Sequence, residues 1–459
     1  MPAVIEKDVL IYKGSNFFRQ RLLLSTLSGR AIRIEEIRSG HDDPGLREYE
    51  VSLIRLLDKV TNGTRVELSE TGTSVYFQPG ILIGGQVTHS CSTQRGIGYY
   101  LELLLALGPF CKEPLNAVLQ GVTNSDLDVS VDKIKTAALP VLLKFILVDD
   151  GLELKVVRRG APPLGGGEVV FKCPVRRHLR PLQWTTWGLV KRIRGVVYAL
   201  RVSPTMANRV VDAAKGVSYL HIISASPNAR IHSATVQYYN ITSCLLPATS
   251  SAWSMVTNIV MLKFLPDVYI NTDQCRGSNA GKSPGFGISL VAETDDKTYY
   301  CAEAVSMHVK IEDAAEPPSL IILCHAGSGD VSLPEDLGQE CAQRLLDEVY
   351  RGGAVDSAFQ WLLALWMALG QKDVSECIVS YLQFKYYYFF YPQVGPLSEY
   401  TITFLQHLKE FFGVMFKLEV QRSDADFEDS DDEDHVAPAQ KIKMTCVGIG
   451  YVNISKRTM

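Results

Sequence analysis

No apolar run in this 459-residue chain reaches the roughly 18 residues that a membrane-crossing helix needs. The longest candidate, Trp361–Leu369, is too short, and no membrane partner is expected. The N-terminus offers no secretory leader either. Met1–Leu10 carries Glu6, Lys7 and Asp8 and has no apolar core. Without a leader, the sequons at Asn62, Asn240 and Asn453 read as chance matches. The ten cysteines include no Cys-x-x-Cys pair, which favours free intracellular thiols over a disulfide frame or a zinc site. The nine histidines have no i,i+4 pairing, and no Gly-x-Ser-x-Gly elbow is present. No metal and no cofactor are expected. Neither sign of charge dominates: 46 Lys+Arg against 50 Asp+Glu gives −4, which excludes a basic nucleic-acid coat protein. What remains is a globular composition, 46% hydrophobic and 21% charged, with room for two to four domains or one elaborated core.

Strand and helix signals alternate, as in a mixed α/β protein. Val4–Tyr12 reads as an opening strand that ends at Lys13-Gly14-Ser15. Val51, Ile54, Leu57 and Val60 form a helical stripe within Leu46–Val60, stopped by the Asn62-Gly63 turn. Thr64–Phe77 reads as a strand pair, and Gly98–Leu107 as a buried helix. Val131–Phe145 is a further helix in which Pro140 predicts a kink or break. The clearest helix starts at Pro334, with Glu335 and Asp336 at its positive end. Leu337, Cys341, Leu345 and Val349 line one face, and Gly352-Gly353 stops it after Arg351. That face is expected to pack on a sheet.

Two segments are charged poles. Ser423–Asp434 is almost wholly acidic, so self-repulsion predicts a solvated, disordered loop over 423–434. Arg176–Arg201 is basic, with Arg176, Arg177, Arg180, Lys191, Arg192 and Arg194 around Trp184 and Trp187. Cations neutralise phosphates and indoles stack on bases, so these six are the candidate contacts to RNA or to an acidic protein surface. Trp184 and Trp187 themselves read better as core or domain-junction residues. Gly165-Gly166-Gly167-Glu168 reads as a tight turn entering the strand Val169–Phe171. Gly281-Lys282-Ser283 is no phosphate-binding loop: Arg276 replaces the upstream glycine, and Pro284 follows where a helix should run.

An ordered set of motifs spans nearly the whole chain. It comprises Ile11-Tyr12-Lys13-Gly14-Ser15, Arg47–Gly63, Gly160–Val170, Gly285–Glu293, Gly352-Gly353-Ala354-Val355-Asp356 and Cys446-Val447-Gly448-Ile449-Gly450. This set resembles the RNA 3′-terminal phosphate cyclase family. Arg201-Val202-Ser203-Pro204 with Met206-Ala207-Asn208-Arg209 is similar to its eukaryotic, ribosome-assembly branch.

The resemblance implies an α+β fold of repeated units, each with two helices on a four-stranded sheet. It also implies a discontinuous repeat domain over 1–184 and 285–459, with a smaller α/β insert domain at 185–284. Members that cyclise RNA attack ATP with a histidine two positions after the Ala-Val-Asp stretch. Ala358 stands there and has no nucleophilic atom. The family's glycine-rich N-terminal loop is here Ser15-Asn16-Phe17-Phe18-Arg19-Gln20, and Leu164 replaces an arginine before the triple glycine. These departures predict loss of cyclase activity. The resemblance then implies a catalytically silent nucleolar factor for small-subunit pre-rRNA processing, partnered by a large ribosome-assembly GTPase, pre-rRNA and the small-subunit processome. The alternatives are a pre-rRNA endonuclease or an active cyclase with displaced residues. The contiguous Arg-Asp-Lys invoked for the endonuclease is absent from this sequence.

Three stretches have no place in the family pattern: about 217–260, 305–326 and 379–394. Each begins with Val-Ser, whose codons can spell an intron donor, and the third is rich in Phe and Tyr, whose codons are pyrimidine-rich. They are either genuine insertions or retained introns, and sequencing of mature transcripts separates the two.

Overall fold

The computed structural model describes residues 9–147, 150–225, 267–306, 333–380, 397–421 and 441–453. The acidic run lies outside these residues, as do most of the three extra segments. Helices cover four mixed four-stranded sheets, so the α+β expectation holds.

Apart from one short extra strand, the first unit runs strand, helix, strand, helix, strand, strand. It comprises β1 (Leu10–Lys13), helix Phe18–Ser28, β2 (Ile32–Glu35), helix Glu48–Val60, the short β3 (Thr61–Asn62), β4 (Arg65–Leu68) and β5 (Val75–Gln78). β1 and β2 are parallel, and the sheet order is β1-β2-β5-β4. β6 (Ile81–Leu82) pairs with β3 beside it. Helix Glu48–Val60 buries Ile54, Leu57 and Val60 of the expected stripe, with Leu53 beside them, while Val51 is half-buried. Its start is fixed by Glu50, which accepts from the Arg47 backbone N–H at 2.7 Å.

The second unit repeats this plan. β7 (Gly84–Ser90), helix Ile97–Leu107, β8 (Glu113–Gly121), a helix over 131–146, β9 (Glu153–Arg158) and β10 (Gly167–Cys173) give the order β7-β8-β10-β9. Pro140 does not break the helix. A wide π turn over Ile134–Ala138 precedes it, in which the Leu139 N–H reaches back to the Ile134 carbonyl. Widening the turn absorbs the bond that proline cannot donate.

The third unit is split in sequence. β11 (Gln183–Trp184) pairs in parallel with β16 (Val374–Ser380), reached only after the inserted unit and helix Gln360–Leu369. Helix Glu399–Phe412, β17 (Lys417–Gln421) and β18 (Lys441–Val447) complete the order β11-β16-β18-β17. Every residue of helix Gln360–Leu369 is buried, which explains why it holds the longest apolar run.

The inserted unit holds β12 (Val190–Leu200), helix Pro204–Ala225, β13 (Asp267–Cys275), β14 (Gly285–Thr294), β15 (Tyr299–Val305) and helix Pro334–Arg351. Its order is β13-β12-β14-β15. The division expected at 284/285 therefore falls inside one sheet. β14 pairs with β12 along nearly its whole length, and a cut there would strand both ladders. Helix Pro334–Arg351 buries Leu337, Cys341 and Leu345 against this sheet's core, as its stripe predicts. A second, larger core joins the three repeats. Among the described residues all eight cysteines are free, and no helix is long and apolar enough to cross a membrane.

Candidate functional site

Ala358 lies in the turn Ser357–Phe359 that leads into helix Gln360–Leu369. The turn is firmly held. The Asp356 carboxylate accepts from the Ala358 N–H at 3.0 Å and from the Cys301 N–H at 2.8 Å. Glu348 accepts from the Ser357 N–H at 2.6 Å and from its hydroxyl at 2.9 Å. The turn is fully hydrogen-bonded, and at position 358 it presents only a half-buried methyl group. Beneath it, the buried Lys133 ammonium sits 3.2 Å from Asp356 and donates to the Cys301 carbonyl at 2.9 Å. Burial opposes its charge, but Asp356, Glu303 and Glu348 outweigh that and hold Lys133 protonated.

The N-terminal loop is closed by aromatics. Phe17 sits at φ 58°, the left-handed region that costs a residue with a Cβ roughly 1–2 kcal/mol. In return its ring lies 6.0 Å from Tyr400 and 6.3 Å from His407. Gln20 donates to the Tyr400 carbonyl at 3.0 Å, and its Oε1 lies 3.1 Å from His407 Nδ1. Arg19 points inward, paired to Glu102 at 2.5 Å and donating to the Tyr400 hydroxyl at 3.0 Å. The side chains of this loop are thus committed to one another and to the helix Glu399–Phe412.

His407 and His89 carry a pH signature. Burial, aided by neighbouring cations, pushes each ring down to about 4. Each native ring refuses a proton that the unfolded chain accepts at about 6.5. Stability is therefore unaffected above pH 6.5 and is lost as pH falls toward 4, by up to ~1.4 kcal/mol per pH unit for each ring. Urea titrations across that window should show the decline, and His407→Gln should make it shallower. An equal slope in the variant would remove His407 from the account.

The triple glycine makes the expected tight turn into β10, with Gly165 and Gly166 at φ 62° and 86°. It also packs against the Gly281–Ser283 segment. A Cβ on Gly281 would lie 2.3 Å from the Gly165 carbonyl, and one on Gly166 would lie 3.0 Å from the Lys282 nitrogen. The Lys282 N–H donates to Gly165 O at 2.9 Å, and the Leu164 N–H to Ser283 Oγ at 3.1 Å. No helix follows Ser283; the chain enters β14, in keeping with the rejected phosphate loop. Leu164 is exposed. Arg159 braces this junction between Asp132, at 2.6 Å, and Asp273, at 2.8 Å. Burial raises the Asp132 carboxyl, but Arg159 more than offsets it and holds it below the usual range.

The six basic candidates fall in two groups. Arg176, Arg177 and Arg180 lie in the loop before β11, with Arg177 and Arg180 exposed. Lys191, Arg192 and Arg194 lie on β12 of the inserted sheet. Arg192 pairs with Glu293 at 2.6 Å and Arg194 with Asp267 at 2.5 Å, so two of the six are neutralised. Trp184 is buried, with the Lys144 ammonium 3.7 Å from its ring centre. Trp187 is half-buried near Lys441. Both are packing residues, as expected. Among the described residues no three His, Cys, Asp or Glu side chains are grouped to hold a metal ion. The buried pairs Arg19–Glu102 and Lys133–Asp356 had no signal in the sequence, since their partners lie far apart along the chain.

The repeated units agree with comparison to known proteins. The family model described as RNA 3′-terminal phosphate cyclase matches residues 10–418. A probable RNA 3′-terminal phosphate cyclase-like protein of Drosophila melanogaster is 50% identical, covering 100% of both chains. An RNA 3′-terminal phosphate cyclase-like protein of Homo sapiens is 48% identical, covering 97% of each. The rRNA processing protein rcl1 of Schizosaccharomyces pombe is 35% identical, again over 97% of each. With three matching sheet units, the ordered motifs and these relatives in hand, the chain belongs to the RNA 3′-terminal phosphate cyclase family.

Proposed function

We propose that this chain is a ribosome-biogenesis factor that acts in small-subunit pre-rRNA processing, in the nucleus and nucleolus, without cyclase chemistry. The observation that carries the reading is the intact but empty-handed turn at Ala358. Its hydrogen-bonded frame is complete, and a methyl group stands where a nucleophile would be needed. Phe17 packed toward Tyr400 and His407 supports it by filling the neighbouring loop. The rRNA-processing name of the S. pombe relative supports the processing role. On this reading the protein works by contact, with a large ribosome-assembly GTPase, pre-rRNA and the small-subunit processome as partners. Incubation with labelled ATP should leave no covalent label on the protein; a stable label would restore the cyclase reading.

Of the basic candidates, Arg177, Arg180 and Lys191 have no carboxylate partner among the described residues and offer charge to a partner. Reversal of Arg176, Arg177, Lys191 and Arg192 to Glu should weaken capture of partners from extract and make what remains less salt-sensitive. Nuclease treatment of the extract separates RNA-bridged from direct protein contacts. Equal capture at low and high salt would refute the assignment.

A further inference from the structure

β12 and β13 run parallel, with helix Pro204–Ala225 as their crossover. In open α/β sheets, ligands gather outside the carboxyl ends of such strands. Three cations stand at that rim. Leu200 and Cys275 are register partners, and Arg201 and Arg276 are the residues that follow them. Arg201 donates from Nε to the Gly281 carbonyl at 2.8 Å, which holds it beside Lys282. All three are exposed, and among the described residues no carboxylate pairs with any of them. The opposite end of the same strand differs, because Arg192 and Arg194 are neutralised there by Glu293 and Asp267. Arg192 and Arg201 lie nine residues apart, about 30 Å along a strand.

The backbone around the rim is fixed. The Gly165–Gly166 turn abuts Gly281-Lys282, and Arg159 ties the turn's base to Asp132 and Asp273. The one rim carboxylate on β13, Asp273, is thereby occupied. Ser203 and Thr205 add hydroxyls at the start of the crossover helix, 2.8 Å apart. A phosphate chain needs cations and donors from its partner and no shaped pocket. Two guanidinium forks, an ammonium and two hydroxyls on a rigid edge meet that need.

We propose that the Arg201–Arg276–Lys282 rim docks the phosphate backbone of RNA. This rests on the RNA part of the proposed function and gives it a place distinct from the Arg176–Arg194 candidates. The test is fluorescence anisotropy of a labelled, unstructured oligoribonucleotide with the full chain across a salt series. Arg276→Gln with Lys282→Gln leaves the Arg201 bond to Gly281 intact, and adding Arg201→Gln gives the triple variant. Unchanged circular dichroism and melting midpoints establish folding. The double variant should bind about tenfold more weakly at low salt, with a salt slope shallower by roughly 0.7 per lost contact. Wild-type binding by both rim variants, with loss in the Arg176/Arg177/Lys191/Arg192→Glu variant, would overturn the rim and leave an RNA-contacting factor. No RNA binding by the wild-type chain at any salt would overturn both. Poly-glutamate binding that depends on the rim while RNA binding does not would also overturn it, in favour of an acidic protein partner.

Discussion

Glu102→Ala should lower unfolding free energy by about 3–5 kcal/mol, the usual cost of stripping one partner from a buried ion pair. Glu102 lies on the second unit and pairs at 2.5 Å with Arg19 of the first. The Arg19 guanidinium also donates to the Tyr99 carbonyl, and it stacks near Tyr99, Trp361 and Tyr400, the last two from the third unit. One cation thus joins all three repeats. Burial alone pushes Glu102 upward, and Arg19 opposes it. Removing Glu102 leaves a guanidinium in the core without its counter-charge. Urea unfolding measures the loss. The double variant Arg19→Met with Glu102→Leu should recover most of it, since apolar replacements of similar volume avoid the desolvation cost. A loss under about 1 kcal/mol for Glu102→Ala, the range of an exposed pair, would show that water reaches the junction.

Lys133→Met should cost a comparable ~3–5 kcal/mol, for the opposite reason. Lys133 faces Asp356 at 3.2 Å, with Glu303 and Glu348 close enough to act on it. Without the ammonium, these carboxylates lose their counter-charge, and burial already raises Asp356 and Glu303. Glu303 also caps the helix over 131–146 by accepting from the Ser130 N–H at 3.0 Å. The variant should therefore loosen the inserted sheet from the second repeat before the repeats themselves unfold. Hydrogen exchange would show early loss of protection in Tyr299–Val305. Uniform loss across the chain would mean that Lys133 stabilises the whole molecule rather than this contact.

These two pairs mark what a linear reading misses. Helix Pro334–Arg351 was legible because its stripe, its opening proline and its closing glycines are local. The run Trp361–Leu369 stood out in the sequence only as too short to cross a membrane, and the structure makes it a fully buried helix. Arg19 and Glu102 are surface-type residues by composition, and only the meeting of three units buries them. The third repeat was hidden because its first strand has two residues and its second lies almost two hundred residues further on. The boundary expected at 284/285 separates Gly285–Glu293 from β12, and no local signal in the sequence shows that the two pair in one ladder. Ala358 could be singled out from one motif, because a missing nucleophile needs no geometry. The rim cations were passed over because Lys282 came into view only with the rejected phosphate loop, and Arg276 only as that loop's missing glycine.

Depletion of this protein in its own cells, followed by blotting of pre-rRNA, tests the central claim most directly. Unprocessed small-subunit precursors should accumulate, and the native chain, with Ala358 unchanged, should restore processing. Normal precursor levels after full depletion would contradict it.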